Sequence, residues 1–169
     1  RAGIVELVTP GSPSDWGDVI YITGEGGGGS AGPVIPGGRP TLVGAAPIMD
    51  ADQAAKTTIY YTPYQGNSYP IYDGLSWTVG TFDELSLALD SDSGHTGYHQ
   101  SGKVFDLFID HNNGSPRLVS GPAWTSDSTQ SATLVLIDGI RMNANSVTVR
   151  FGTGPSDTTV VAAERLVRV

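Results

Sequence analysis

Ser146-Val147-Thr148-Val149-Arg150-Phe151 decides the fold class. Val147, Val149 and Phe151 alternate with Ser146, Thr148 and Arg150, and successive side chains of a strand point to opposite faces. The period of two predicts a strand with its apolar side buried and its Arg150 side wet. Upstream, Leu134 to Ile137 and Ile140 to Met142 flank Asp138-Gly139, a hairpin signal. Lys103 to His111 alternates in the same way, with Phe105, Leu107 and Ile109 set against Val104, Asp106, Phe108 and Asp110. Asn112-Asn113-Gly114 then turns into Arg117-Leu118-Val119.

Further upstream, Thr57-Thr58-Ile59-Tyr60-Tyr61-Thr62 is β-branched and aromatic, and Pro63 ends it. Tyr69 to Tyr72 and Leu75 to Val79 flank Asp73-Gly74, which suits a two-residue type I′ hairpin. A last strand is expected within Thr158 to Val169. One short helix is expected after Thr81-Phe82-Asp83-Glu84, a capping-box pattern, with Asp90-Ser91-Asp92-Ser93-Gly94 as its stop. Many short strands with one helix predict an all-β fold, a β-sandwich or small barrel.

The 169 residues suit one domain with an arm. Residues 1–23 carry two apolar runs, one with Ile4, Val5, Leu7 and Val8, the other with Val19, Ile20, Tyr21 and Ile22. Turn material separates them, and the segment reads as an extended attachment arm. Residues 24–38, rich in Gly and Pro, read as a linker, and residues 39–169 as the β-rich main domain. The linker is no P-loop, since no Gly-Lys-Ser/Thr follows it.

Composition narrows the function classes. Lys+Arg 9 against Asp+Glu 17 gives a net charge of −8, with the basic residues scattered singly. Nucleic acid is therefore not an expected partner, because phosphate binding relies on clustered Lys and Arg. No apolar run is long enough to span a bilayer, so no membrane insertion is expected. With no Cys, disulfides, Cys-zinc sites and thiol catalysis all drop out.

Three constellations carry possible chemistry. His95 and His99 stand four apart near Asp90, Asp92 and Tyr98, so an acid–base or metal site can be drawn from them. The segment reads as a loop, however, which favours histidines held by ordinary hydrogen bonds. Asp90-Ser91-Asp92-Ser93-Gly94 opens like a calcium loop, but Ser101 stands where a bidentate Glu is needed. No Gly-x-Ser-x-Gly elbow lies in the main domain, which argues against serine hydrolysis, and a carboxylate pair for glycoside cleavage would need only closeness in space. No catalytic residue, cofactor or metal is expected. The third constellation is aromatic: Tyr60, Tyr61, Tyr64, Tyr69, Tyr72 and Trp77, with Trp124 further on. Such residues pack cores, anchor interfaces and stack on sugars.

Several segments resemble a domain of virion structural proteins from tailed bacteriophages. They include Thr57-Thr58-Ile59-Tyr60-Tyr61-Thr62-Pro63-Tyr64, Pro70-Ile71-Tyr72-Asp73-Gly74 and Gly121-Pro122-Ala123-Trp124-Thr125-Ser126-Asp127. Residues 38–127 carry the likeness, and Ser128 onward departs from it. The resemblance implies a non-enzymatic part of the particle, assembled in the host cytoplasm: a tail fibre, head fibre, spike or capsid decoration. It implies other virion proteins as partners (capsid, portal or collar, or tail) and a homo-oligomer, by analogy a trimer. The alternative is a host-attachment module that grips a surface glycan with the Tyr/Trp cluster or with His95, Tyr98 and His99.

Overall fold

The computed structural model describes residues 32–169, so the expected arm lies outside the described residues. Within them the protein is all-β. The chain forms β1 (Gly38–Thr41), β2 (Thr58–Pro63), β3 (Ser68–Tyr72), β4 (Trp77–Thr81), β5 (Leu85–Ala88) and β6 (Phe105–Asp110). It continues with β7 (Arg117–Ala123), β8 (Leu134–Ile137), β9 (Ile140–Asn143), β10 (Val147–Arg150), β11 (Thr158–Val161) and β12 (Leu166–Arg168). A seven-stranded sheet runs β11-β10-β7-β6-β12-β9-β8 and curls into a half-barrel. A three-stranded sheet β1-β2-β5 and the hairpin β3-β4 complete the fold.

The centre of the large sheet is buried on both faces. Register pairs Ile109 with Leu118 on one face and Phe108 with Val119 on the other. Ile109 and Leu118 pack with Tyr61, Tyr69, Phe82 and Leu87 from the small sheet and hairpin. Phe108 and Val119 pack with Val149 and Leu166 on the opposite side. A third cluster, Ile140, Met142 and Val167, is covered by Tyr72 and Trp77 of the hairpin. Each buried tyrosine lies over a glycine. A Cβ at Gly80 would sit 2.5 Å from the Tyr69 ring, and one at Gly38 would sit 2.4 Å from that of Tyr61. Only glycine admits the ring at this distance.

The helix expected after Thr81 is a strand instead. Leu87 is fully buried and Leu85 half-buried, with Ser86 and Ala88 exposed between them, and residues 85–88 pair with Thr58–Tyr61. Glu84 does not cap a helix. Its carboxylate accepts from the Thr62 hydroxyl at 2.6 Å and from the Ala45 amide. Pairing with β2 buries Leu87, which a lone amphipathic turn could not do.

The Asp138-Gly139 turn is the two-residue form, both residues at positive φ (47° and 90°) between Ile137 and Ile140. The Asp73-Gly74 turn differs. Tyr72 pairs with Trp77, so four residues form the loop. Asp73 Oδ1 accepts from the Leu75 and Ser76 amides at 2.8 and 2.7 Å, stabilising the longer turn.

Candidate functional site

The main polar constellation sits where the loop after β5 crosses the large sheet. Arg150 and Ser120 are register partners, and Ser120 pairs in turn with Leu107. These three neighbours therefore share the face that Ile109 and Leu118 also line. Residues 89–102 cover it there, so Arg150 is only 3% exposed. The expectation that its side of β10 is wet is corrected. Alternation places Arg150 opposite Val149, but a loop from elsewhere in the chain covers that side.

Arg150 is fully employed. Its Nη1 meets Asp90 Oδ2 at 2.9 Å, and the guanidinium donates to the carbonyls of Thr96, Gly97 and Gly154. Asp90, 2% exposed, also accepts from the Asp92 amide at 3.0 Å and from His95 Nδ1 at 3.0 Å. Burial pushes the Asp90 carboxyl up, but the Asp92 amide, His95 and Arg150 outweigh it and hold its pKa below the ordinary value. That stabilisation is present above pH 3.8, the ordinary value, and is lost as pH falls through the native pKa.

His99 completes the cluster. Its Nδ1 accepts from the Asp90 amide at 2.9 Å, so Nδ1 carries no proton. A neutral ring is then protonated at Nε2, which lies 2.7 Å from Ser120 Oγ and donates to it. The composition Asp, His, Ser matches a nucleophilic triad, yet the wiring is reversed. A base must accept the serine proton at Nε2 and donate from Nδ1 to a carboxylate. Here the backbone fixes the opposite tautomer, and the Asp90 carboxylate turns to His95 and Arg150. Ser120 is also 1% exposed. The cluster holds a loop to a sheet.

Burial, then the Arg150 charge, push the His99 pKa below its ordinary 6.5. The unfolded chain thus binds a proton that native His99 refuses. Its contribution to stability is full above pH 6.5 and declines as pH falls below that value towards the native pKa. Urea unfolding at pH 7.5 and 5.5 is expected to show lower stability at the lower pH. His99→Gln should flatten that difference; an unchanged difference would assign it to other groups.

The acidic run Asp90-Ser91-Asp92-Ser93-Gly94 is wound into turns. The Asp92 amide bonds Asp90 Oδ1, and the Gly94 amide bonds Asp92 Oδ1 at 2.8 Å. Among the described residues, no group of three His, Cys, Asp or Glu is arranged to hold a metal ion.

The aromatic cluster separates. Tyr61 and Tyr69, each 2% exposed, lie in the core and offer nothing to a ligand or partner. Their place as candidate contacts is corrected: inward alternation on β2 and β3 buries them. Burial raises the Tyr61 phenol to about 12, outweighing the Gly38 amide, which lowers it. The Tyr69 hydroxyl bonds His111 Nδ1 at 2.7 Å. Tyr60 is half-buried on β2. Tyr72 and Trp77 face each other across the hairpin, 4.7 Å between centroids, and Trp77 Nε1 donates to Asp138. Tyr64 is 47% exposed, with Arg39 above its ring at 5.6 Å. Trp124 donates to buried Asp106 at 2.9 Å, where Arg168 also pairs. Tyr98 is half-buried in the loop that Arg150 holds.

Sequence reasoning missed Arg150 and Ser120 as members of the cluster, and it missed Asn143. Asn143 is fully buried and makes four side-chain hydrogen bonds, to residues 145, 162, 165 and 166. An Arg in an alternating strand and a lone Asn after Met142 carry no local signal of burial.

No protein-family model, curated protein or solved structure matches the chain. Among the described residues, no helix is long and apolar enough to cross a membrane.

Proposed function

We propose that this chain is a non-enzymatic structural module of a tailed-bacteriophage particle, a fibre, spike or decoration, docked through residues 1–23. The reversed tautomer of His99 carries the non-catalytic half of this reading. Among the described residues, the Ser120–His99 pair, with the Asp90 carboxylate beside it, is wired to brace a loop. Among the described residues, no buried side-chain nitrogen or oxygen lacks a hydrogen-bond partner, as suits a scaffold. The virion half rests on the resemblance of residues 38–127. Its partners would be capsid, collar or tail proteins and further copies of the same chain, in a trimer by analogy.

Strand addition suits the docking, with Ile4–Val8 or Val19–Thr23 pairing with an edge of a neighbouring sheet. Removal of residues 1–30 is expected to abolish incorporation while the remaining domain stays folded. Quantitative blotting of purified particles measures this, and wild-type incorporation would overturn the docking role. Antibody labelling of particles in the electron microscope tests the virion reading itself. Label on head or tail supports it and gives the location; permeabilised particles without label overturn it.

The adsorption alternative draws support from exposed Tyr64 beside Arg39. It requires Tyr64→Ala to abolish cell binding with assembly intact.

A further inference from the structure

We propose that a cleft beside the braced loop binds a carboxylated saccharide. The cleft holds about 430 Å³, within the range of roughly 300–1,000 Å³ usual for small-ligand sites. Ile59, Leu89, Phe105 and Leu107 supply apolar lining, and His99 and Ser120, already bonded to each other, line it too. Lys56 and Lys103 also line it, and they are the two lysines of the whole chain.

Charge makes this combination informative. The chain carries −8 overall, yet among the described residues Asp90 is the single carboxylate lining the cleft. Its oxygens are already taken by Arg150, His95 and the Asp92 amide. The charge left to act on a ligand is therefore the two exposed ammonium groups. In a strongly acidic protein, such a place favours an anion.

The walls narrow the anion further. Phe105 and Leu107 offer a surface for an apolar ring face, while Ser91, Gln100 and Ser101 offer hydroxyl and amide groups. A sugar ring has both an apolar C–H face and a rim of hydroxyls. Inorganic phosphate lacks the first and a fatty acid the second. A uronic-acid type sugar supplies the ring, the hydroxyls and the carboxylate together. Neither Tyr64 nor Trp77 lines the cleft, and the proposal does not depend on the virion reading, because the isolated chain tests it.

The test is titration of the isotopically labelled full chain, followed by amide NMR, with digalacturonate and with the neutral galactose disaccharide. Saturable shifts are expected at residues 99–105 with the acidic sugar, and at least tenfold weaker binding with the neutral one. The double variant Lys56→Gln/Lys103→Gln should bind digalacturonate at least tenfold more weakly. Both lysines are exposed, so an unchanged amide spectrum away from the cleft confirms that the variant folds. No saturable shift, shifts located elsewhere, or undiminished binding by the double variant would overturn the site. Equal binding of the neutral sugar would overturn the carboxylate assignment.

Discussion

Arg150→Met lowers the free energy of unfolding by about 3–5 kcal/mol, the usual cost of breaking one side of a buried ion pair. A domain of this size has on the order of 5–15 kcal/mol in total, so the variant approaches the limit of folding. The reason lies in what remains. Asp90 stays buried without its guanidinium partner, and the carbonyls of Thr96, Gly97 and Gly154 lose their donor. Arg150→Lys should recover less than half of the loss. A single ammonium can reach the Asp90 carboxylate, but it cannot serve four acceptors spread around a planar fork.

Urea unfolding followed by tryptophan fluorescence measures the loss. Hydrogen exchange locates it, with amides of residues 89–102 expected to exchange faster in the lysine variant. The double change Asp90→Asn/Arg150→Met should cost less than the sum of its parts, since removing both charges leaves none stranded. A loss under about 1 kcal/mol in Arg150→Met, the range of exposed ion pairs, would mean that the loop is held elsewhere.

Asn143→Ala is expected to cost about 3 kcal/mol, because each buried backbone group left unmatched costs roughly 1–3 kcal/mol. Asn143 Oδ1 accepts from the Arg165 and Leu166 amides at 3.1 and 2.8 Å. Its Nδ2 donates to the carbonyls of Asn145 and Ala162 at 2.8 and 2.7 Å. One side chain thus ties the turn after β9 to the connection before β12. Arg165, held at that connection, reaches the carbonyls of Tyr72 and Asp73 and clamps the β3-β4 hairpin. Asn143→Asp keeps the acceptor but turns an anion toward two carbonyls, so it should be less stable than the alanine variant at pH 7. Chemical denaturation of the two variants side by side checks the order. A near-neutral alanine variant would show that water replaces the amide there.

The readable part of the fold was local. Alternation in Ser146–Phe151 and in Phe105–Asp110 marked strands, because the side-chain period of an extended chain is set residue by residue. Asp138-Gly139 marked a tight hairpin, because both positions need positive φ. The Thr81–Glu84 pattern misled for a related reason. A capping box signals a helix only where the following residues bury a helical stripe, and Leu85 and Leu87 bury an alternating one against β2. Asp73-Gly74 misled because the Asp73 carboxylate, rather than glycine alone, organises that turn.

The candidate site was legible only in fragments. Asp90, His95 and His99 drew notice through spacing, and His95 does meet Asp90 at 3.0 Å. Nothing in their spacing indicated which nitrogen of His99 carries the proton. That depends on the Asp90 amide at one end and on Ser120, a strand away, at the other.

By itself the sequence determined the all-β class, which residues of β6 and β10 share a face, the tight turn at Asp138-Gly139 and the acidic charge. All of these follow from interactions within a few residues. Only the tertiary structure decided that Arg150 is buried, that Tyr61 and Tyr69 belong to the core, and that both lysines border one cleft. Alternation tells which way a side chain points, but what covers it is a segment far along the chain. For Arg150 that segment begins about sixty residues earlier, at Asp90, and only folding brings the two together.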